Sequence, residues 1–493
     1  MATTSGQKFV RRHNASRGTT SNTSAADISY DTAVFSEGGY SWSSPEVTVD
    51  EAGLYLCVFD LGQVQLASTR AVGTLVPSIN TTDQTRFRAS HRYLRNSGSA
   101  IHGASIGMAI LDLAASDDVK VRNPAALTPT DAIGSYGTNS SAGGGLQMIR
   151  LPAQNFTHLE RTVDANECGI SNINATRPWI DSSGTWTTIT YNSEVNDDAG
   201  LYPGSGGTVT LEADKKYMIV WGFTGYSTDT SRHTYVGRLQ IDGNNVQTAS
   251  SYQRNGSSQG PPLSGMYLHE VGGSSEDLIL QATQETEGGD AGTPVISDAY
   301  LQVFELGSGC EWIHVDNSTT DSLDTALAGT STWYDTPLSS AFRADGGGGL
   351  SLDSGNDAVQ NDSGGALSVL AIGWHRWDRD AGTNGNRKAP WTRWDNGGAN
   401  VYYGVAGAFN RGAQSGDDTW QSHYCSVAAM DLANGADLSF QVNEPATSSN
   451  EDMGIYASTN RHFLGVQVLK LDSLDDTGAG GTGDPGAPVQ MMM

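Results

Sequence analysis

Three copies of one order of sequence blocks run through the chain, and nothing else in it restricts the possible folds as much. Val47 to Asp60 reads VTVDEAGLYLCVFD, Val209 to Phe223 reads VTLEADKKYMIVWGF, and Val359 to Trp374 reads VQNDSGGALSVLAIGW. A second block, a polar turn followed by an acid and an alternating strand, centres on Asp118, Asp277 and Asp437, which stand 159 and 160 residues apart. A closing strand reads LQMIRL at 146–151, LQVFEL at 301–306 and VQVLKL at 466–471. Between them come YLRNSG at 93–98, YQRNGS at 252–257 and FNRGAQ at 409–414. A repeat of this length is too long for a solenoid unit and suits a free-standing domain. The chain therefore divides into residues 1–152, a basic arm with the first repeat, then 153–307, 308–473 and a Gly/Asp-rich tail at 474–493 whose composition cannot supply a core.

Within each repeat the runs are short, rich in β-branched and aromatic residues, and bounded by Gly, Asn, Asp and Ser, which predicts strands. LYLCVFDL, VGRLQIDG and SGMYLHEV are examples. Helical periodicity is confined to TTDSLDTALAG at 319–329. With 60 glycines and 37% apolar residues, the expected class is all-β, about eight strands per repeat, in three tandem jelly-roll β-sandwich domains.

The order of blocks resembles the jelly roll of the complement globular-head and tumour-necrosis-factor family. The matching residues are Gly53, Tyr55, Asp118 and Val119 in the first repeat. In the second they are Tyr217, Asp242, Gly243, Asp277 and Leu278, and in the third Leu367, Asn396, Gly397, Asp437 and Leu438. The resemblance implies a sandwich that trimerises about a threefold axis and acts by binding. Two arrangements fit three copies on one chain: an intramolecular pseudo-trimer, or three beads in a row. In the second case a homotrimer of chains remains open.

Acids outnumber Lys and Arg by 54 to 28, a formal charge of −26, and a field of that sign repels phosphate backbones and anionic lipid. Neither nucleic acid nor a membrane is expected as a partner. The first 25 residues hold no apolar run of signal-peptide length, so a soluble protein made in a host cytoplasm is expected, which reaches the outside, as part of a virion, by a route such as lysis. The exception to the acidity is the start, where Lys8, Arg11, Arg12 and Arg17 precede the first acid, Asp27, and form a candidate anchor on an acidic partner surface. Cys57, Cys168, Cys310 and Cys425 make no metal-type pair, and Cys57 and Cys425 read as small buried hydrophobes.

No constellation for chemistry stands out. G-x-S-x-G at Ser105 and Ser258 lacks the strand before and helix after that a nucleophile elbow needs. The histidines show no ligand spacing, and Asp197–Asp198 or Asp378–Asp380 lack a calcium-loop pattern, so no catalytic residue, metal or cofactor is expected. Two binding candidates remain. Trp374, Trp377, Trp391 and Trp394 flank a polar turn, and as a hairpin they would form an aromatic platform for a glycan or protein partner, or fill the core instead. Arg95, Arg254 and Arg411 recur in the three repeats and suit a repeated inter-domain contact to carboxylates, or a turn cap.

The expected function is a non-enzymatic structural protein of a virion, a capsid decoration or head fibre protein of a tailed bacteriophage that binds the major capsid protein or other virion proteins through its N-terminal region. The alternative is a tail-fibre adhesin that recognises a host glycan.

Overall fold

The computed structural model describes residues 9–13, 19–20, 26–30, 32–36, 39–65, 70–89, 92–95, 102–123, 133–135, 145–162, 168–169, 172–174, 186–226, 232–254, 262–287, 295–317, 333–338, 340–344, 349–355, 357–379, 387–388, 391–397, 403–407, 410–411, 422–443, 453–455 and 464–474. These residues are strands and turns, with two single-turn 3-10 segments, Thr85–Phe87 and Leu471–Ser473. The described strands form six sheets of six or seven strands, in three pairs, and two small two-stranded sheets, antiparallel throughout except where Asn172–Asn174 runs parallel to Glu276–Glu287, so the chain is a set of β-sandwiches with jelly-roll topology.

The same strand order appears three times. The first inner sheet runs Thr32–Ser36, Phe9–His13, Gly145–Arg150, Gly53–Gln65 and His102–Leu113. The second runs Ser193–Asp197, Phe156–Arg161, Val295–Leu306, Lys216–Tyr226 and Pro262–Glu270. The third runs Ser340–Ala344, Trp312–Asp316, Leu464–Lys470, Leu367–Arg379 and Ser422–Leu432. Each time the closing strand of the repeat sits at the centre of its sheet, between the first strand of the sandwich and the long strand that follows the VTV, VTL or VQN block.

The three matched aspartates lie at the start of the equivalent strand of each outer sheet, as first residue of Asp118–Asn123 and Asp437–Asn443 and second of Glu276–Glu287. Asp118 stands opposite Thr48, Asp277 opposite Thr210 and Asp437 opposite Gln360. Each carboxylate accepts a hydrogen bond from the side chain it faces: Thr48 Oγ1 at 2.5 Å, Thr210 Oγ1 at 3.3 Å and Gln360 Nε2 at 2.9 Å. The repeated blocks are thus two ends of one cross-strand contact, which explains why they recur together. Asp242 and Gly243, with φ of 46° and 78°, make the two-residue turn between Arg232–Ile241 and Asn244–Arg254, where positive φ at both central positions matches the twist of the strands. Asn80 and Thr81, with φ of 46° and 76°, do the same in the first sandwich, where Asn80 Nδ2 donates to Asp117 Oδ1 and Asn80 Oδ1 accepts from the Asp118 N–H.

One apolar cluster joins the three inner sheets, while the interior of the third sandwich, around Trp394 and Phe440, is a cluster of its own. A continuous cluster of buried residues includes Phe59 and Met108 of the first, Trp221 and Tyr300 of the second, and Trp374 and Val427 of the third. A string of separate beads would divide this cluster; the three inner sheets instead pack on one another.

Two expectations are corrected by the strand pairing. Arg11 and Arg12 belong to Phe9–His13, which is paired on both sides, so these residues are part of the first sheet and not of a detached arm. The tryptophan stretch is not a hairpin: Leu367–Arg379 lies in the inner sheet and Trp391–Asp395 in the outer sheet of the third sandwich. The segment at 319–329 lies outside the described residues.

Candidate functional site

The described feature that most resembles a built site is the set of seams where the inner sheets meet. Among the described residues, the strands His102–Leu113, Pro262–Glu270 and Ser422–Leu432 are each at the edge of an inner sheet, so one row of their backbone N–H and C=O groups has no described strand partner within its own sheet. A buried edge of that kind costs about 1–3 kcal/mol for every group left without a partner, and it templates wrong pairing.

A glutamine from the neighbouring sandwich supplies the missing ladder. Gln302 accepts from the Ile110 N–H at 2.7 Å and donates from Nε2 to the Ile110 carbonyl at 2.7 Å. Gln467 does the same to Leu268, with both bonds at 2.8 Å. Gln147 accepts from the Ala429 N–H at 2.5 Å, while its Nε2 is buried without a hydrogen-bond partner. The second sandwich reaches the first, the third reaches the second and the first reaches the third, so the contacts close into a ring.

The three glutamines are at one register position. Each is fully buried and stands mid-sheet, opposite Val58, Val220 and Ile372 on one side, and opposite Arg11, His158 and His314 on the other. A side-chain amide carries the same donor and acceptor as a peptide group, which is why this residue type caps an edge strand that a carboxylate or an aliphatic chain would leave half satisfied. Sequence reasoning missed these residues. The signal was present: in all three repeats the six-residue closing block has an amide at its second position and a charge at its fifth, with apolar residues elsewhere.

Around this common contact the seams differ. Between the first and second sandwiches, Tyr300 donates to the Met108 carbonyl at 2.9 Å and meets Phe87 edge-on at 5.0 Å, and Arg86 forms an ion pair with Glu160. Between the second and third, Tyr267 packs edge-on against Trp374 at 5.5 Å and His314 at 5.9 Å, and Gln247 lies 3.7 Å from Cys425 Sγ. Between the third and first, Ala104 and Trp391 share a small apolar cluster.

Burial pushes the Glu160 carboxyl up, but hydrogen bonds and charge from His158 and Arg86 outweigh it and hold the group below the usual carboxylate range. A depressed acid contributes stability above its unfolded value, and that stability is lost as pH falls through the lower folded value. Acidification into and below the carboxylate range is therefore expected to weaken this seam, and Arg86→Ala should shrink that part of the pH dependence; urea melts of both proteins at graded pH measure it. Asp112 shifts oppositely, raised first by burial and then by Asp117 and Asp198, so it offsets part of the loss.

The structure places the other candidates as follows. Trp374, Trp391 and Trp394 are buried, at 1%, 3% and 0% exposure, and Trp394 lies on Phe440 at 4.7 Å, so none of the three presents a ring to a glycan. Trp377 stands in a strand opposite Ser422, and its side chain is outside the described residues. Arg95, Arg254 and Arg411 occupy equivalent register positions, opposite Arg70, Arg232 and Arg387; the expected contact of their side chains to carboxylates lies outside the described residues. Lys8 and Arg17 lie outside them as well, as do the side chains of Arg11 and Arg12.

Ser105 is buried mid-strand opposite Leu61, and Ser258 is not among the described residues. Asp197 directs its oxygens to Thr157 Oγ1 and to the N–H groups of Leu201 and Tyr202, which makes it a turn organiser. Cys57 and Cys425 are buried, and burial pushes both thiols up to about 12.

No family model and no curated protein matches the chain. Solved structures do. Murine APRIL is matched at 16% identity over 29% of this chain and 99% of its own, with a TM-score of 0.22. The Eiger TNF of S. frugiperda is matched at 11% identity over 37% of this chain and 99% of its own, with a TM-score of 0.22.

Proposed function

We propose, from the premise of a TNF-like jelly roll repeated three times, that the chain is a non-enzymatic binding head, and more narrowly a capsid decoration or head fibre protein of a tailed bacteriophage. The ring of glutamine contacts carries the first part. It buries the inner sheets against one another and leaves the outer sheets and the two ends of the ring as the surfaces open to partners. The narrower part is supported by the sequence: a charge of −26 on the whole chain, a cluster of basic residues at its start, and tandem sandwiches without a nucleophile in a catalytic setting.

Two measurements test it. Light scattering is expected to give the mass of one chain, 52.0 kDa, at all concentrations; a tripled mass would mean that chains and not domains complete the trimer. In lysates of a producing cell the protein is expected to sediment with assembled particles and to cross-link to their major shell protein. Recovery on baseplate or tail components selects the adhesin, and recovery only in the soluble fraction removes the virion assignment.

A further inference from the structure

We propose that the seam between the third and first sandwiches is the gate of the ring, which parts and closes while the other two seams stay shut and act as hinges. The chain itself straps those two. Residues 151–155 run from the closing strand of the first sandwich, Gly145–Arg150, to the first strand of the second, Phe156–Arg161. A link of that length reaches at most about 18 Å. It is bonded on both sides: the Leu151 N–H donates to the Leu54 carbonyl at 2.8 Å, and the Glu305 N–H to the Asn155 carbonyl at 2.9 Å. Residues 307–311 strap the second sandwich to the third in the same way. Lys216 Nζ donates to the Cys310 carbonyl at 2.7 Å, and the Glu311 N–H to Ser473 Oγ at 2.9 Å.

The polypeptide runs from the first sandwich to the second and then the third, so no peptide link crosses from the third back to the first. After its last strand the chain turns at Leu471–Ser473 toward the second strap, where Cys310 Sγ donates to the Ser473 carbonyl at 3.1 Å. The glutamine contact of the unstrapped seam is half made. Gln147 bonds the Ala429 N–H, but its Nε2 is buried without a hydrogen-bond partner, whereas Gln302 and Gln467 make both bonds. An unpaired buried donor costs free energy that parting the sheets recovers, because water then reaches it.

Two residues before each glutamine the seams differ again. The register that places Tyr300 with Gly222, and Trp374 with Gly465, places Gly145 with Asp60 in the first sandwich. The rings of Tyr300 and Trp374 reach across their seams to Met108 and Tyr267. Here a glycine and a carboxylate of 1% exposure stand instead. A carboxylate gives up hydration to be buried and regains it when the sheets part. An apolar contact across this seam, Ala104 with Trp391, stands apart from the cluster that joins the inner sheets. Opening either strapped seam would break a full amide pair and withdraw an aromatic anchor. Opening the third breaks half a pair and bares the edge of Ser422–Leu432, so a partner that binds the open form better shifts the ring toward it. The inference rests on the closed ring and not on the virion reading, so either can fail alone.

Residue-resolved hydrogen exchange of the full-length protein reads the gate directly, because the amides of Ile110, Leu268 and Ala429 are each held by one of the three glutamines. The protection factor of Ala429 is expected to lie at least about tenfold below those of Ile110 and Leu268. It should also respond weakly to urea below the unfolding transition, since a local opening exposes little surface. A smaller difference overturns the proposal, and so does exchange of Ala429 with the urea dependence of global unfolding. Thermal midpoints give a second readout. Gln147→Ala removes one bond together with an unpaired donor, while Gln302→Ala and Gln467→Ala remove two bonds each, so its loss should be about half of theirs or less. A loss equal to theirs would mean that the third seam is held as firmly as the others, and would overturn the proposal as well.

Discussion

Gln302→Ala should be among the most damaging single substitutions of a polar residue in this protein. It leaves the Ile110 N–H and C=O buried without partners, at a cost of about 2–6 kcal/mol for the two groups together, and should lower the thermal midpoint by about 5–15 °C. Gln84→Ala, which removes only an exposed bond to the Thr82 carbonyl, is the control and should change little. Gln302→Glu separates the amide's two roles. An ionised carboxylate can accept from Ile110 but confronts its carbonyl with a second acceptor in a buried seam. A buried carboxyl has its pKa raised, and once protonated it can donate as the amide does. The deficit of this variant relative to the parent should therefore shrink as pH falls, and calorimetry at neutral and acidic pH reads it directly. An equal deficit at both would mean that the seam depends on shape and not on the paired donor and acceptor.

Trp374→Ala is the second large effect. The ring is 1% exposed, meets Tyr267 across the seam, and lies over Gly465, where an added Cβ would come 2.3 Å from Trp374 Cζ2. Truncation to alanine should cost about 3–5 kcal/mol. Gly465→Ala should cost about 1–3 kcal/mol by overpacking against a ring that cannot move. Because the two share one space, the double variant should lose clearly less than the sum, and a denaturant double-mutant cycle measures the difference. The second sandwich solves the same position in reverse, with Tyr300 over Gly222, where a Cβ would lie 2.6 Å from the ring. In the first sandwich Gly145 faces Asp60 there.

The triplication, the strand class and the equivalence of Asp118, Asp277 and Asp437 were legible because each is a local pattern: alternation, turn residues and spacing. The equivalence of Arg95, Arg254 and Arg411 was legible for the same reason, down to a third copy that looks displaced in sequence but pairs with an arginine like the others. What meets what across a seam was not. Gln147, Gln302 and Gln467 are visible as polar residues in apolar strands, but a strand does not record which foreign edge it will cover. The tryptophan stretch misled because two aromatic-rich strands around a polar turn have the same composition whether they pair with each other or lie in facing sheets. Only the strands that flank them in space, Ser422–Leu432 and Asp437–Asn443, distinguish the two.

A trimer made of separate chains dissolves when diluted and repeats every substitution three times. Here the ring is threaded on one polypeptide, so its three sandwiches cannot diffuse apart, and a change in one facet is inherited without being copied to its two neighbours. One sandwich can therefore change its outer face while the other two keep the frame.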